Sequence, residues 1–553
     1  MRSSANSLTL TNAETERLAL RSQTFVVAWS ALLVSLLALS YSYSRGILLL
    51  YGDAVAHLHI ARRLIDSRTP GLRQLGSVWL PLPHLLLVPF VARLEWWQSG
   101  LAGAFPSMGA YILGTAGMYR LARFWLQPRT ALLAVVFFAL NPGLLYMQTT
   151  AMNEPLFLAV MIWAVVLIIE YGRALEADET RRAVQLLIGA GVVLVAGIFT
   201  RYDGWVFTFL AWLVALGKML RKRRWNSPVR GAFVLFTLIL AIAPLVWMVY
   251  SARQFGDPLD FLRGPYSAQA IEARTATPGS PHYPGWHSMR VAELYFFKAA
   301  ELGAVPERFA NLLLILSLAG GAAGAIRWRH RDGMTALLLW FPAPFYAYSI
   351  AYGSVPIFIP IWWPHSWYNT RYGMEMLPIF ALSLAFLVAC VTDGIARFKP
   401  SIVPWVLATA ALLMVAGNVA LLRAKPLVLD EAIANSRTRI SFEVAYAHAL
   451  EMLPENSTIL AYTSEHVGAF QRAGVALKRT INESDYYEWA PALKDPAKAA
   501  DFVIATDGDR VAQAVAARPD GLTLINIVCS TGQPCARFYR SDRRAASGSI
   551  TQK

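Results

Sequence analysis

Two carboxylates at the ends of apolar stretches are the first residues in this chain that could do chemistry. Asp53 stands in YGDAVAHLHIARRL, just after the first long apolar run, and Glu154 stands in Asn153–Glu154–Pro155, where another run begins. Two acids delivered to one face from separate helices could supply a general base for an acceptor hydroxyl or amine. The second acid would then orient the acceptor or bind a divalent cation. Taken singly, each is also what a helix N-terminus welcomes, a cap or an anion at the positive end of the dipole. From Asp53 to Ile65 the residues Val55, Leu58, Ile60, Leu64 and Ile65 recur at three- and four-residue spacings, which predicts an amphipathic helix. His57 follows Asp53 at i+4 on the same face, so the two could share a proton or a metal ion.

Cationic groups complement the acids. Arg371 in WYNTRYGMEMLP and Arg201 in TRYDGW carry the bidentate donors that a phosphate leaving group needs. Arg201 and Asp203 could equally be a local ion pair beside a helix. Around Arg371 stand Trp362, Trp363, Trp367, Tyr368 and Tyr372, rings that an interfacial aromatic belt would also supply. His57, His282 and His365 are the candidate metal ligands, with His287 nearby in sequence, and none has a diagnostic spacing. No P-loop, dinucleotide fingerprint or Ser-His-Asp signature is present, and GDR at 508–510 reads as a turn.

The elements that must position these residues are membrane spans. The 553-residue chain is 56% hydrophobic, its mean hydropathy is +0.42, and it breaks into apolar runs of about 18–22 residues. Eleven spans are expected, at 23–44, 102–125, 130–149, 154–171, 183–200, 203–220, 231–251, 306–326, 333–352, 372–392 and 401–423. The prolines Pro81, Pro83 and Pro89 interrupt the run from Trp79 to Phe90, predicting a broken helix along the membrane surface. Lys and Arg number 50 against 35 Asp and Glu, a net +15. The basic residues fall on one side of the runs, as the positive-inside rule expects, and nothing resembles a nucleic-acid motif. Arg120, Arg173, Lys218, Lys222, Arg223, Arg224, Arg327 and Arg397 then lie on the cytoplasmic side with the N-terminal segment 1–22. The opposite side collects external loops 45–101 and 252–305, and with them Asp53, His57, Asn153, Glu154, Arg201, Asp203, His282, His365, Asn369, Arg371 and Tyr372. Ionisable groups at span ends are costly unless used or paired.

The spans fill 23–423, and from 424 to 542 the chain reads as a small extracytoplasmic α/β domain, with short β-rich runs at 457–463, 501–506 and 522–528 and a helix at 509–517. The Ala-, Ser- and Gly-rich end, 543–553, predicts a disordered tail. Cys390 lies in an apolar run. Cys529 and Cys535 flank the turn formers Gly532 and Pro534, and are either a disulfide or two free thiols.

At these residues the chain resembles the GT-C superfamily of integral-membrane glycosyltransferases, in the branch that holds protein O-mannosyltransferases and aminoarabinose transferases. The marks are Asp53 opening the first external loop, the Pro-rich WLPLPHLLLVP, NPGLLYMQTTAMNEPLF with Glu154, and the RYxxxxLP pattern at Arg371–Pro378. The resemblance implies a mostly α, polytopic fold in the bacterial inner membrane with the C-terminus outside. It also implies a polyprenyl-phosphate sugar donor and an inverting transfer at the outer face to a glycan, lipid or protein acceptor, with Asp53 as base. Two features depart from the pattern. Ala54 stands where many members have a second acid, and the C-terminal domain matches no member's acceptor module. A lipid-linked glycan flippase and a non-catalytic envelope scaffold are the alternative readings. A flippase would be expected to carry charges at mid-membrane, and a scaffold would lose nothing with Asp53.

Overall fold

Prolines set where many of the helices begin. In the computed structural model, which describes residues 12–221, 227–275, 279–329, 332–464 and 466–544, proline occupies the first turn of helices at Pro81, Pro128, Pro142, Pro155, Pro342, Pro378 and Pro404. Its missing N–H costs nothing at that position. The helices run α1 (Asn12–Ser44), α2 (Gly52–Arg63), α3 (Pro81–Val91), α4 (Leu94–Ser99), α5 (Leu101–Ala122), α6 (Pro128–Ala139), α7 (Pro142–Met147), α8 (Glu154–Glu176), α9 (Thr180–Ile198), α10 (Asp203–Arg221) and α11 (Ser227–Phe255). They continue as α12 (Asp260–Arg263), α13 (Ala268–Thr275), α14 (Met289–Ala304), α15 (Ala310–Arg327), α16 (Pro342–Tyr352), α17 (Leu377–Ala396), α18 (Val403–Ala424) and α19 (Leu427–Glu451).

Among the described residues nine helical stretches are long and apolar enough to cross a membrane, the last of them, Pro400–Glu451, running through α18 and α19. The chain is a polytopic, mostly α membrane protein. Two of the eleven expected spans take another form. The run at 102–125 forms α5, which is not among those nine. The run at 130–149 is split at Asn141, whose side chain caps α7 by accepting from the Leu144 amide (3.0 Å) and donates to Gly303 O (3.0 Å). The Trp79–Trp97 stretch folds as α3 and α4, two short helices. The expected cytoplasmic cluster Lys222, Arg223 and Arg224 lies outside the described residues, as do 1–11 and the tail from 545 on.

Beyond α18 the chain builds a five-stranded sheet from β1 (Ile459–Ala461), β2 (Thr480–Ile481), β3 (Phe502–Thr506), β4 (Leu522–Ser530) and β5 (Gln533–Ser541), in the order β2-β1-β3-β5-β4. The first three are parallel and β5 pairs antiparallel with both β3 and β4. Helices α20 (Val467–Arg472), α21 (Trp489–Lys494), α22 (Pro496–Ala499) and α23 (Arg510–Ala517) complete this region. The GDR turn is the start of α23, where Asp509 caps the Ala512 amide. Strands β2 and β5 were not foreseen, because β2 is two residues long and β5 holds Pro534 and two arginines in a polar stretch. Cys529 and Cys535 are disulfide-bonded across the β4–β5 turn. The sheet region is bolted to the end of α2 and the loop that follows it: Arg63 Nη1 donates to Ser484 Oγ (2.6 Å), Arg73 Nη1 to Tyr487 Oη (2.7 Å), and Arg68 pairs with Glu488 (2.8 Å).

Candidate active site

Six elements bring their polar ends to one place. Asp53 is the second residue of α2, Glu154 opens α8, and Arg201 with Asp203 sits at the α9–α10 junction. Tyr346 comes from α16, Glu431 from α19, and Arg371, Tyr372 and Glu375 from a 3-10 turn, Thr370–Met376, that leads into α17. With three residues per turn, Tyr372 and Glu375 share one face of that turn and Arg371 takes the next. The Tyr372 ring lies against the Arg201 guanidinium (5.0 Å) and Glu375 pairs with Arg201 (3.3 Å). Arg371 points the other way, to Asp53. Gly373 permits the turn to press on α14, since a Cβ there would sit 2.5 Å from Ala300 N.

Glu154 joins the two halves. Its Oε1 accepts from Arg371 Nε (3.1 Å) and from Arg201 Nη1 (3.2 Å). Arg371 Nη2 donates to Asp53 Oδ2 (2.7 Å), and Arg371 Nη1 lies 3.7 Å from Glu431 Oε1. Arg201 is enclosed: Nε reaches Asp203 (3.0 Å) and Nη2 donates to Tyr346 Oη (2.7 Å). The Tyr346 hydroxyl lies 2.7 Å from Asp203 Oδ2 and 2.8 Å from Glu375 Oε1. Glu431 accepts from the amides of Asn369 and Thr370 at 3.0 Å each. Five carboxylates, Asp53, Glu154, Asp203, Glu375 and Glu431, therefore surround two guanidinium groups. Their exposure separates them: the Glu154, Asp203, Glu375 and Glu431 side chains are at most 2% exposed, and that of Asp53 is 38% exposed.

All the principal candidates, Asp53, Glu154, Arg201, Asp203, Arg371 and Tyr372, thus meet in one cluster. Several finer expectations need correction. Asp53 caps nothing, because the residue before the helix, Tyr51, holds the cap position and Asp53 gives its carboxylate to Arg371. His57 makes no hydrogen bond to Asp53. It turns inward, where Nδ1 meets His84 Nε2 (2.9 Å) and Nε2 meets Asn153 Nδ2 (3.2 Å). His84 Nδ1 lies 3.1 Å from Leu80 O, which can only accept. The chain of protons is fixed by that carbonyl: His84 donates to it, His57 donates to His84, and Asn153 donates to His57. Burial, then the positive charges of Arg371 and Arg201, hold the His57 imidazole at about 3, neutral at physiological pH.

The candidate metal ligands are not assembled. His282 stacks on Trp286 (4.4 Å), His365 turns to Pro360 O (3.1 Å), and among the described residues no group of three or more His, Cys, Asp or Glu could hold a metal ion. Of the predicted rings near Arg371, Tyr372 touches it (4.9 Å), whereas Trp367 bonds to Asp430 (3.1 Å). Tyr51 lies against Arg371 as well (5.8 Å). Sequence reasoning missed Tyr346, Glu375, Glu431 and Tyr51. Glu375 was within reach, four residues after Arg371 in the same motif. Glu431 was hidden by assigning everything after 423 to a separate domain.

Residues 81–247 match the family model described as dolichyl-phosphate-mannose-protein mannosyltransferase. Among solved structures, the fold is similar to ArnT from Cupriavidus metallidurans bound to undecaprenyl phosphate, at TM-score 0.57 and 12% identity, covering 93% of this chain and 97% of that one. The apo state of the same ArnT gives TM-score 0.53 and 12% identity over 96% and 98% of the two chains. Among curated proteins no sequence match is found. The fold is thus the one it shares with ArnT, and the family model covers its residues 81–247. The particular architecture of this chain, helical spans followed by a small C-terminal sheet, superposes along nearly the whole of both chains.

Proposed function

We propose that this protein transfers a sugar from a polyprenyl-phosphate-linked donor to an acceptor hydroxyl or amine, at the extracytoplasmic face of a bacterial inner membrane. The observation that carries the reading is the partly exposed carboxylate of Asp53 beside the guanidinium of Arg371. In the reaction, the acceptor oxygen or nitrogen attacks the anomeric carbon from the face opposite the phosphate and inverts it. The bond from that carbon to the phosphate oxygen breaks, the electron pair stays with the phosphate, and the acceptor's proton passes to Asp53. Arg371 neutralises the charge that develops on the phosphate.

Arg201 was a candidate for the same task, and its donors are already taken by Asp203, Glu154 and Tyr346. Its role in this reading is to hold Glu154, which in turn holds Arg371. The Cys529–Cys535 disulfide supports placing the C-terminal domain outside the cytoplasm. The catalytic domain is then 23–423, and the extracytoplasmic domain, 424–542, lends it Glu431. Transfer by purified protein in detergent from defined lipid-phosphate sugars tests the proposal, with Asp53→Asn as control. No transfer from any lipid-phosphate sugar, with the protein folded, would reject it.

A further inference from the structure

Arg371 already has a ligand where a phosphate would have to bind. Nη2 donates to Asp53 at 2.7 Å and Nε to Glu154 at 3.1 Å, while Nη1 makes no hydrogen bond among the described residues and has Glu431 Oε1 3.7 Å away. The three acids are not equally free to leave. Glu154 is also held by Arg201, and Glu431 by Asn369 N, Thr370 N and Thr370 Oγ1. Among the described residues Asp53 accepts from Arg371 alone, and its position in α2 involves no capping bond, so moving it breaks nothing in the helix. The Nη1–Nη2 edge is therefore the one edge of the guanidinium that can exchange its ligand, and Asp53 is the ligand that goes. Packing against Tyr372 and Tyr51 keeps the guanidinium in place while this happens.

We propose that the donor's phosphate displaces Asp53 from Arg371, so that the proton acceptor is released by arrival of the group beside which it must act. The inference rests on the sugar-transfer reading and adds a control to it. A phosphate offers two oxygens to the Nη1–Nη2 fork, where Asp53 uses one oxygen on one nitrogen, so the exchange gains a hydrogen bond. In the empty protein Asp53 is neutralised by its ion pair and a stray acceptor meets no free base. In the loaded protein it is an unpaired carboxylate at the open face of the cluster.

Competition of this kind has a signature opposite to that of a phosphate ligand. Removing the competitor should tighten phosphate binding, by at least about fivefold if the coupling is of ordinary size. The probes are undecaprenyl phosphate and undecaprenol, with the full chain in nanodiscs. Asp53→Asn is expected to raise affinity for the phosphate lipid and to leave affinity for the alcohol unchanged, and Asp53→Glu, which keeps the charge, is expected to gain nothing. On the wild-type chain, modification of Asp53 by a water-soluble carbodiimide should increase when undecaprenyl phosphate is added and not when undecaprenol is added. That second readout decides even where the variant fails to fold. Unchanged or weaker phosphate binding by a folded Asp53→Asn protein, or labelling that does not respond to the phosphate lipid, overturns the release while leaving sugar transfer standing. Equal affinity of the wild-type chain for lipid and alcohol overturns the phosphate site and the sugar-transfer reading together.

Discussion

Asp53 and Glu154 are both acids at helix starts, and only their surroundings assign them different work. Glu154 is buried and shared by two arginines, so its charge is spent on structure, whereas Asp53 keeps an open side. Asp53→Asn should lower turnover by about 10²–10⁴-fold, the loss expected when a positioned general base is removed. Arg371→Ala should weaken donor binding as well as turnover, measured by titration with the phosphate lipid. If Asp53→Asn retains more than about a tenth of wild-type turnover, smaller than that loss, the base lies elsewhere.

His57 gives a prediction of another kind. The buried imidazole is held at about 3, while an unfolded histidine titrates near 6.5, so on acidification the unfolded chain takes up the proton first. The full contribution of neutral His57 to stability is present above about pH 6.5 and is lost as the pH falls toward 3, on the order of 1 kcal/mol per pH unit. Melting temperature should drop between pH 7 and pH 4, and His57→Gln, which can donate to His84 and accept from Asn153, should flatten that slope. These residues were legible in the sequence because charge at the end of an apolar run is costly and therefore conspicuous. Partners were not legible: i+4 spacing put His57 on the face of Asp53, and nothing in one strand of letters revealed that His84, after three prolines, would claim it.

Among the elements, the 3-10 turn at Thr370–Met376 does the most positioning, because one short segment supplies Arg371, Tyr372 and Glu375. Its seat depends on Gly373, where any side chain would collide with the backbone of Ala299 and Ala300. Gly373→Ala should destabilise the protein by about 1–3 kcal/mol, as overpacking does, and should cost turnover beyond what the stability loss explains. Thermal denaturation and transfer assays at a temperature where the variant stays folded would separate the two effects. Long apolar helices such as α8, α11 and α17 were readable to within a few residues, since length and hydropathy suffice for them. The break at Asn141 was harder to foresee, because the run at 130–149 is apolar on both sides of it and the second partner of the Asn141 side chain, Gly303 O, is far away in sequence. Strand β2 exists only because β1 lies beside it.

For the whole molecule, the sidedness read from the arginines can be tested directly. In a background with the native cysteines replaced by serine, single cysteines at the exposed positions Arg274 and Glu451 should react with an impermeant reagent in intact cells, and one at Arg181 should not. Reaction at position 181 with protection at 451 would invert the topology. Mass spectrometry of non-reduced peptides from fresh membranes should find Cys529 and Cys535 linked, and finding both free would contradict an exported domain.

Helix α19 joins the two regions more tightly than a linker would. It is one rod of 25 residues, roughly 37 Å at 1.5 Å per residue, with Glu431 near its first turn and Tyr446 packed on Phe538 of the sheet at its far end. A single helix with the proposed site at one end and the sheet at the other fixes the distance between them. Through Glu431 the helix ties the sheet to the amides of Asn369 and Thr370, and so to the arginine beside them. The sheet is thus no detachable module: a chain cut after α18 would lose Glu431, and with it the carboxylate that holds the start of the Arg371 turn.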